Sequence, residues 1–299
     1  ARADAVKLQI YSAETLYSRR TPRHSGYDQD LFSLIKEIET PRAWIPELAS
    51  YCRERNIIFF ATPFDREAVE ELDAVSDLFK IASFEIVDLP LLRCCAEKGK
   101  PLIISTGLST LEEIDDACRT CREAGNDQVV LLQCASVYPA PASIMNLRSM
   151  ETLRRAFGVP TGLSDHTPGI HVSVAAAALG ASVIEKHVTL DCRMEGPDHP
   201  FAIEPHELRE LVRQVREVES ALGDGRKMGP APEEQEFYEK ARRSVHAAVD
   251  IPAGTALSEE MLCVKRPGYG IRPKHLPLLL GRAARRDIGA DEWITWEMV

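Results

Sequence analysis

Gly162-Leu163-Ser164-Asp165-His166-Thr167 and Val183-Ile184-Glu185-Lys186-His187-Val188-Thr189 are two short apolar runs that break into polar residues, each at a histidine, twenty-one positions apart. Between them, Ile170 to Leu179 is rich in Ala and Val, has the length of a buried crossover helix, and stops at Gly180, as helices often do. The spacing is that of one β-α-β unit. In a parallel barrel both imidazoles then sit at the carboxyl ends of adjacent strands, where such barrels keep their active sites. Two neutral imidazoles facing an open mouth make half of a catalytic metal site.

Working outward, strand-like runs alternate with helical patterns: Ala5 to Ile10, Ile57 to Ala61, Phe79 to Ala82, Leu102 to Ser105, Val129 to Cys134, Thr161 to Leu163 and Ser182 to Glu185. The segments Ala43 to Arg55, Arg66 to Asp77, Leu111 to Ala124 and Pro205 to Leu222 carry apolar residues at three- and four-residue spacing, as helices packing on a sheet must. Strict alternation predicts an α/β fold, a TIM-type (β/α)8 barrel in residues 1–222 with its sheet covered on the outer face. Seven units are one short of eight, which predicts that a further unit precedes Ala1. Residues 223–240 read as a linker rich in Gly, Pro and charge, with Met228-Gly229-Pro230-Ala231-Pro232 its stiffest part. Residues 241–299 read as a small β-rich module, with strand-like runs at Ser244 to Ile251, Met261 to Lys265 and Trp293 to Trp296.

The chain of 299 residues is long enough to bury a large core, and its formal charge of −10 argues against nucleic acid as a partner. No stretch is apolar for as long as a membrane helix requires, and no basic-then-apolar leader is visible. Eight cysteines are too sparse for a disulfide scaffold and suit a reducing, cytoplasmic compartment. Cys118-Arg119-Thr120-Cys121 is a CxxC, but it falls inside a helical pattern without a second pair or nearby histidines and reads as ordinary helix cysteines.

Polar residues end the other strands where packing alone would select Val or Leu. Thr62 follows Ile58-Phe59-Phe60-Ala61; Lys80, Ser83 and Glu85 punctuate Phe79 to Glu85; Ser105 and Thr106 follow Leu102-Ile103-Ile104; Ser136 and Tyr138 follow Leu131 to Cys134. A barrel mouth gathers all of them with Ser164, His166 and His187. Lys7 and Lys80 alternate with apolar neighbours and so point inward, where a lysine needs an anion. With Ser83, Ser105 and Ser164 they suggest a phosphate or carboxylate cradle; pairing of Lys80 with Glu85 or another barrel carboxylate is the plainer reading. A Schiff-base lysine, Lys80 or Lys186, is a rival, though Lys186 should point away from His187. Glu85 suits a general base or a structural ion pair.

At these residues the chain resembles the sialic acid synthase family, which condenses phosphoenolpyruvate with an N-acylated mannose-type sugar to make nine-carbon acids. The resemblance rests on Phe79-Lys80-Ile81-Ala82-Ser83-Phe84-Glu85, Ser105-Thr106-Gly107, Tyr138-Pro139, Gly162 to His166, Glu185-Lys186-His187 and Gly196-Pro197-Asp198-His199. The C-terminal module, with Val264-Lys265-Arg266-Pro267-Gly268, is similar to the antifreeze-like (SAF) domain that ends those enzymes. The resemblance implies that His166 and His187 hold a divalent cation, usually Mn2+, with Mg2+ or Co2+ as the other choices. It implies that Lys7, Thr62, Lys80, Ser83, Ser105 and Ser164 hold phosphoenolpyruvate, with Glu85 and Asp198 near the sugar and the attacking water. Ser136 and Tyr138 are further substrate contacts. It also implies a domain-swapped homodimer in which Arg266 of one subunit reaches the N-acyl group of a sugar bound by the other.

Three departures stand out. The family's first strand and following loop, with a Glu and a His-containing motif, have no counterpart. Ser136 stands where some relatives have Asn. Asp198-His199-Pro200-Phe201-Ala202 differs from the Lys-Ala-Ser ending of N-acetylneuraminate synthases, which leaves a legionaminate- or pseudaminate-like product open. Besides a metal-dependent synthase, a Schiff-base aldolase and a non-catalytic sugar-phosphate-binding or ice-binding protein are the competing readings.

Overall fold

The computed structural model describes residues 1–21 and 30–299 and divides them into two compact units, Ala1–Gly223 and Asp224–Val299. In the first unit seven strands, β1 (Ala5–Ile10), β2 (Ile58–Pro63), β3 (Phe79–Ile81), β4 (Leu102–Ser105), β5 (Val129–Cys134), β6 (Thr161–Asp165) and β7 (Ile184–Lys186), form one sheet in sequence order, every neighbouring pair parallel. Helices α1 (Ala13–Leu16), α2 (Leu31–Glu37), α3 (Ile45–Glu54), α4 (Arg66–Asp73), α5 (Leu89–Ala96), α6 (Leu111–Glu123), α7 (Ser149–Phe157), α8 (His171–Ala178) and α9 (Pro205–Leu222) connect or follow the strands. The result is the expected α/β architecture, a curled parallel sheet wrapped by helices.

Local chemistry sets the helix ends. Asp65 and Asp88 accept the amides of Ala68 and Leu91 at the starts of α4 and α5, and Thr110 with Glu113 forms a reciprocal capping box on α6, each satisfying donors the helix leaves open. At its far end α7 stops on Gly158, whose φ of 67° lies in the left-handed region.

The two faces of the sheet carry different chemistry. Outward residues Phe59, Ala61, Phe79, Ile81, Leu102, Ile104 and Leu131 pack on Val69, Leu72, Leu92, Cys95, Ala117 and Cys121 to form the main core. Because strand side chains alternate, the intervening positions point inward: Lys7, Gln9, Thr62, Lys80, Ser105, Cys134, Ser164 and Glu185. Gly162 is an inward position with no room for a side chain. A Cβ there would collide with the Val183 carbonyl oxygen and lie 2.9 Å from Leu132 Cδ2.

Several boundaries differ from the sequence reading. Strand β2 runs on to Pro63, β3 ends at Ile81 rather than Ala82, and β7 starts at Ile184 and includes Lys186. The stretch 223–240 is not irregular throughout: α10 (Gln235–Lys240) forms within it, supported by Lys240–Glu236 and Gln235–Glu239 contacts one turn apart. In the second unit β8 (Ser244–Ala247) and β9 (Leu262–Lys265) pair antiparallel over a core of Val245, Ile251, Leu257, Leu279, Ile288 and Ile294. The run at Trp293 to Trp296 is not a strand. It makes a single bridge, His246 to Trp293, and turns into a 3-10 helix from Trp296. Among the described residues no helix is long and apolar enough to cross a membrane.

All eight cysteines are free. Cys118 and Cys121 lie buried in α6, and burial pushes their thiols up to about 11 and about 12, so neither is a ready nucleophile.

Candidate active site

A cleft opens at the carboxyl ends of the strands. Its lining includes Lys7, Gln9, Lys80, Ser83, Ser105, Cys134, Tyr138, Ser164, His166, Glu185, His187 and Asp198. The strands supply its floor. Lys80 is 1% exposed, and its Nζ donates to the Ile81 carbonyl at 2.7 Å and to Ser105 Oγ at 2.8 Å. Ser83 Oγ accepts from the Gly107 amide at 3.0 Å. Ser105 and Ser83 therefore each spend an acceptor site on the protein and keep a hydroxyl proton to offer a ligand. Gly107 has to be glycine: a Cβ there would collide with Ser136 Oγ and lie 2.8 Å from Ser83 Oγ.

The lysines meet a carboxylate the sequence reading passed over. Glu185 Oε1 lies 3.5 Å from Lys7 Nζ and accepts from Ser164 Oγ at 3.0 Å, and its Oε2 lies 4.0 Å from Lys80 Nζ. Burial by itself would raise the Glu185 carboxyl, but Lys80, Lys7 and the Ser164 hydroxyl outweigh it and bring it down to about 2. Lys80 is brought down to about 8, burial outweighing the attraction of Glu185. The signal for Glu185 was present in the sequence, since it lies two residues before His187 on one strand and so shares its face.

His166 and His187 face one another at the rim, ring centroids 5.2 Å apart. Nδ1 of His166 meets the Ala135 carbonyl at 2.9 Å, and Nδ1 of His187 meets Asp198 Oδ2 at 3.1 Å. A proton on each Nδ1 satisfies both acceptors and leaves Nε2 of each ring with its lone pair, the arrangement in which histidine ligates a metal. Among the described residues no three His, Cys, Asp or Glu side chains come together as a complete ligand set. Two imidazoles are therefore the donors that the described residues offer here, and a divalent cation held by them would take the rest of its shell from water or substrate oxygen. Tyr138 stacks beside His166 at 4.3 Å between centroids. Phe201, buried behind the pair, lies 5.1 Å from His187.

Thr62, Glu85, Ser136 and Lys186, singled out from the sequence, are not part of the cleft lining. Thr62 is fully buried and, among the described residues, neither its Oγ1 nor the buried Glu85 Oε2 has a hydrogen-bond partner. Burial pushes the Glu85 carboxyl up to about 7, with Lys80 pulling the other way. Ser136 Oγ lies 3.9 Å from Cys134 Sγ. Arg266 belongs to the second unit, just after β9. Lys186, as its position beside His187 demands, points outward and pairs with Asp165 at 3.0 Å, which removes it as a Schiff-base candidate.

Comparison with known proteins matches these features to one group. Residues 1–227 match the model of the NeuB family and residues 242–299 that of the SAF domain. The chain is 39% identical over 301 residues to N,N'-diacetyllegionaminic acid synthase of Campylobacter jejuni, covering 98% of this chain and 90% of the relative. It is 38% identical over 298 residues to pseudaminic acid synthase of the same species, covering 96% and 85%. The crystal structure of N-acetylneuraminic acid synthetase from Leptospira borgpetersenii, in complex with citrate, superposes with a TM-score of 0.71 at 33% identity over 80% of each chain. With the family model spanning the whole parallel sheet and the SAF model the second unit, the chain belongs to the NeuB family of nonulosonate synthases.

Proposed function

We propose that this chain condenses phosphoenolpyruvate with an N-acylated mannose-type aldose, forming a carbon–carbon bond between the enol carbon and the aldehyde carbon, adding water and releasing phosphate. The observation that carries the reading is the meeting of two cations and two proton-bearing hydroxyls, Lys7, Lys80, Ser83 and Ser105, with a histidine pair whose Nδ1 atoms are engaged by the Ala135 carbonyl and Asp198. The lysines and hydroxyls suit the phosphate and carboxylate of phosphoenolpyruvate, and an ammonium attracts a close anion by about 4 kcal/mol at an effective dielectric near 20. His166 and His187 would hold a divalent cation, Mn2+ by the resemblance, whose role when bound is to polarise the aldehyde oxygen as negative charge grows there.

The remaining work falls to this chain's own groups. Tyr138 and Asp198 stand at the rim where the sugar would lie, Asp198 also fixing the His187 ring. Glu85 lies off the cleft lining, so with a carboxyl near 7 it would take or give a proton at neutral pH through an intervening water. The names of the relatives span legionaminic, pseudaminic and neuraminic acids, so the acceptor is proposed only as an N-acyl aldose of that class. A further part of the proposal is a cytoplasmic homodimer in which Arg266 serves the partner's sugar.

The test is phosphate release from phosphoenolpyruvate with N-acetylmannosamine and with diacetamido-hexose acceptors, the product identified by mass. Exhaustive chelation should abolish turnover and Mn2+ restore it. Turnover unaffected by chelation would sink the metal reading, and borohydride trapping of pyruvate on Lys80 would favour the aldolase instead.

A further inference from the structure

Immediately before each rim histidine lies a residue that takes no part in the cleft. Asp165 and Lys186 are the last paired positions of β6 and β7, their Cα atoms directly opposite in the register. Both side chains are buried, 0% and 3% exposed, and they face outward, where Ser173 of α8 lies. One residue further along each strand, alternation turns His166 and His187 inward.

The Asp165 carboxylate is saturated. Oδ1 accepts from the Thr167 amide and hydroxyl, both at 2.8 Å, and Oδ2 accepts from Ser173 Oγ at 2.6 Å and Lys186 Nζ at 3.0 Å. Lys186 Nζ donates in addition to the Thr167 carbonyl. The backbone on both sides of His166 is therefore pinned to one carboxylate, and that carboxylate is pinned to the residue before His187. On its other side the His187 carbonyl accepts from the Ile203 amide at 2.9 Å.

A dry ion pair is a poor source of stability compared with two apolar side chains of the same size; its best-attested use is to fix register. Packing alone would be served by such an apolar pair. We infer that the Asp165–Lys186 ion pair is a positioning device, an outer-face brace that holds the two inward imidazoles side by side for a divalent cation. It rests on the metal reading of His166 and His187 given above.

The test uses the full chain with Lys186→Met and the doubly neutral Asp165→Asn/Lys186→Met, which leaves no unpaired charge and preserves folding if the single variant does not. Mn2+ binding is followed by electron paramagnetic resonance of the free ion, phosphoenolpyruvate binding by calorimetry without metal, and the imidazoles by long-range proton–nitrogen spectra. The expected result is a rise of about tenfold or more in the Kd for Mn2+, against a change within about twofold for phosphoenolpyruvate. The two rings should also lose their single Nδ1-protonated form. A folded double variant that binds Mn2+ like wild type with unchanged ring spectra overturns the brace, as does an equal loss of both ligands. His187→Ala separates the two ideas. If that variant keeps wild-type Mn2+ affinity, the metal reading fails, and the ring spectra of the brace variants alone decide: scrambled protonation supports the brace and unchanged protonation overturns it.

Discussion

Replacing Glu185 by Gln removes the carboxylate that stands against Lys7 and Lys80 at 3.5 and 4.0 Å while leaving an oxygen for Ser164 to reach. The fall of this carboxyl from its ordinary 4.5 to about 2 corresponds to roughly 3 kcal/mol of native-state stabilisation. The folded value is the lower one, so the contribution is whole above about pH 4.5 and drains away as the pH drops toward 2. Glu185→Gln should therefore be less stable by roughly 3 kcal/mol at neutral pH, a Tm lowered by roughly 6–12 °C, with the deficit closing in acid. The same substitution leaves Lys7 and Lys80 without the carboxylate that competes with a bound anion. At an effective dielectric near 20 a carboxylate about 5 Å from a bound anion repels it by roughly 3 kcal/mol, so phosphate should bind the variant about a hundredfold more tightly. Thermal melts of both proteins across about pH 3 to 8, with and without inorganic phosphate, check both halves, because a ligand of the folded state raises Tm by mass action. A variant that melts with wild type at neutral pH, or gains no more from phosphate than wild type gains, refutes the reasoning.

Other outcomes follow from single positions. Gly162→Ala forces a methyl against the Val183 carbonyl and Leu132 and should cost about 1–3 kcal/mol in urea unfolding. Glu85→Gln removes a carboxyl whose folded value, about 7, lies above its ordinary 4.5. Wild type loses stability as the pH rises from about 4.5 to about 7, so the variant should be the more stable by roughly 3 kcal/mol at pH 8 and indistinguishable below pH 4.5, while losing phosphate-release activity. His246 is 1% exposed and its Nε2 has no partner among the described residues; His246→Leu should raise the calorimetric transition of the second unit by the equivalent of about 1 kcal/mol, and a lowered transition counts against an unsatisfied nitrogen there.

The parallel sheet was legible because its strands are short apolar runs spaced by helical patterns, and each of the seven runs became a strand. Period-two alternation carried the reading further, assigning Lys7 and Lys80 to the interior and Lys186 to the exterior from sequence neighbours alone. The same rule applied to Glu185 and was not followed through, because the residue was read as part of a motif with His187 and not as a wall position. The engagement of each Nδ1 was out of reach: the Ala135 carbonyl and Asp198 come from segments 31 and 11 residues away, and no local pattern announces such a meeting. The burial of Thr62 and of Glu85 Oε2 is likewise a product of packing. In the C-terminal unit, Trp293 to Trp296 has the composition of a strand, but only Trp293 finds a bridging partner, and composition cannot supply one.

The alternation of the strands also divides the kinds of genetic change the site can absorb. At the ends of β6 and β7, neighbours in sequence have opposite tasks: Asp165 and Lys186 face the helices, and His166 and His187 face the cleft. A substitution alters one task at a time. A single-residue insertion or deletion within Ser164 to His166 exchanges the two sides, turning the carboxylate into the mouth and an imidazole into the packed layer. Length variation among descendants of this chain is therefore expected in the segments beyond the strands, such as 190–200, which carry Asp198, and not in the strands themselves. Divergence in what the mouth accepts can then proceed through those segments while the lysines and serines of the floor stay in register.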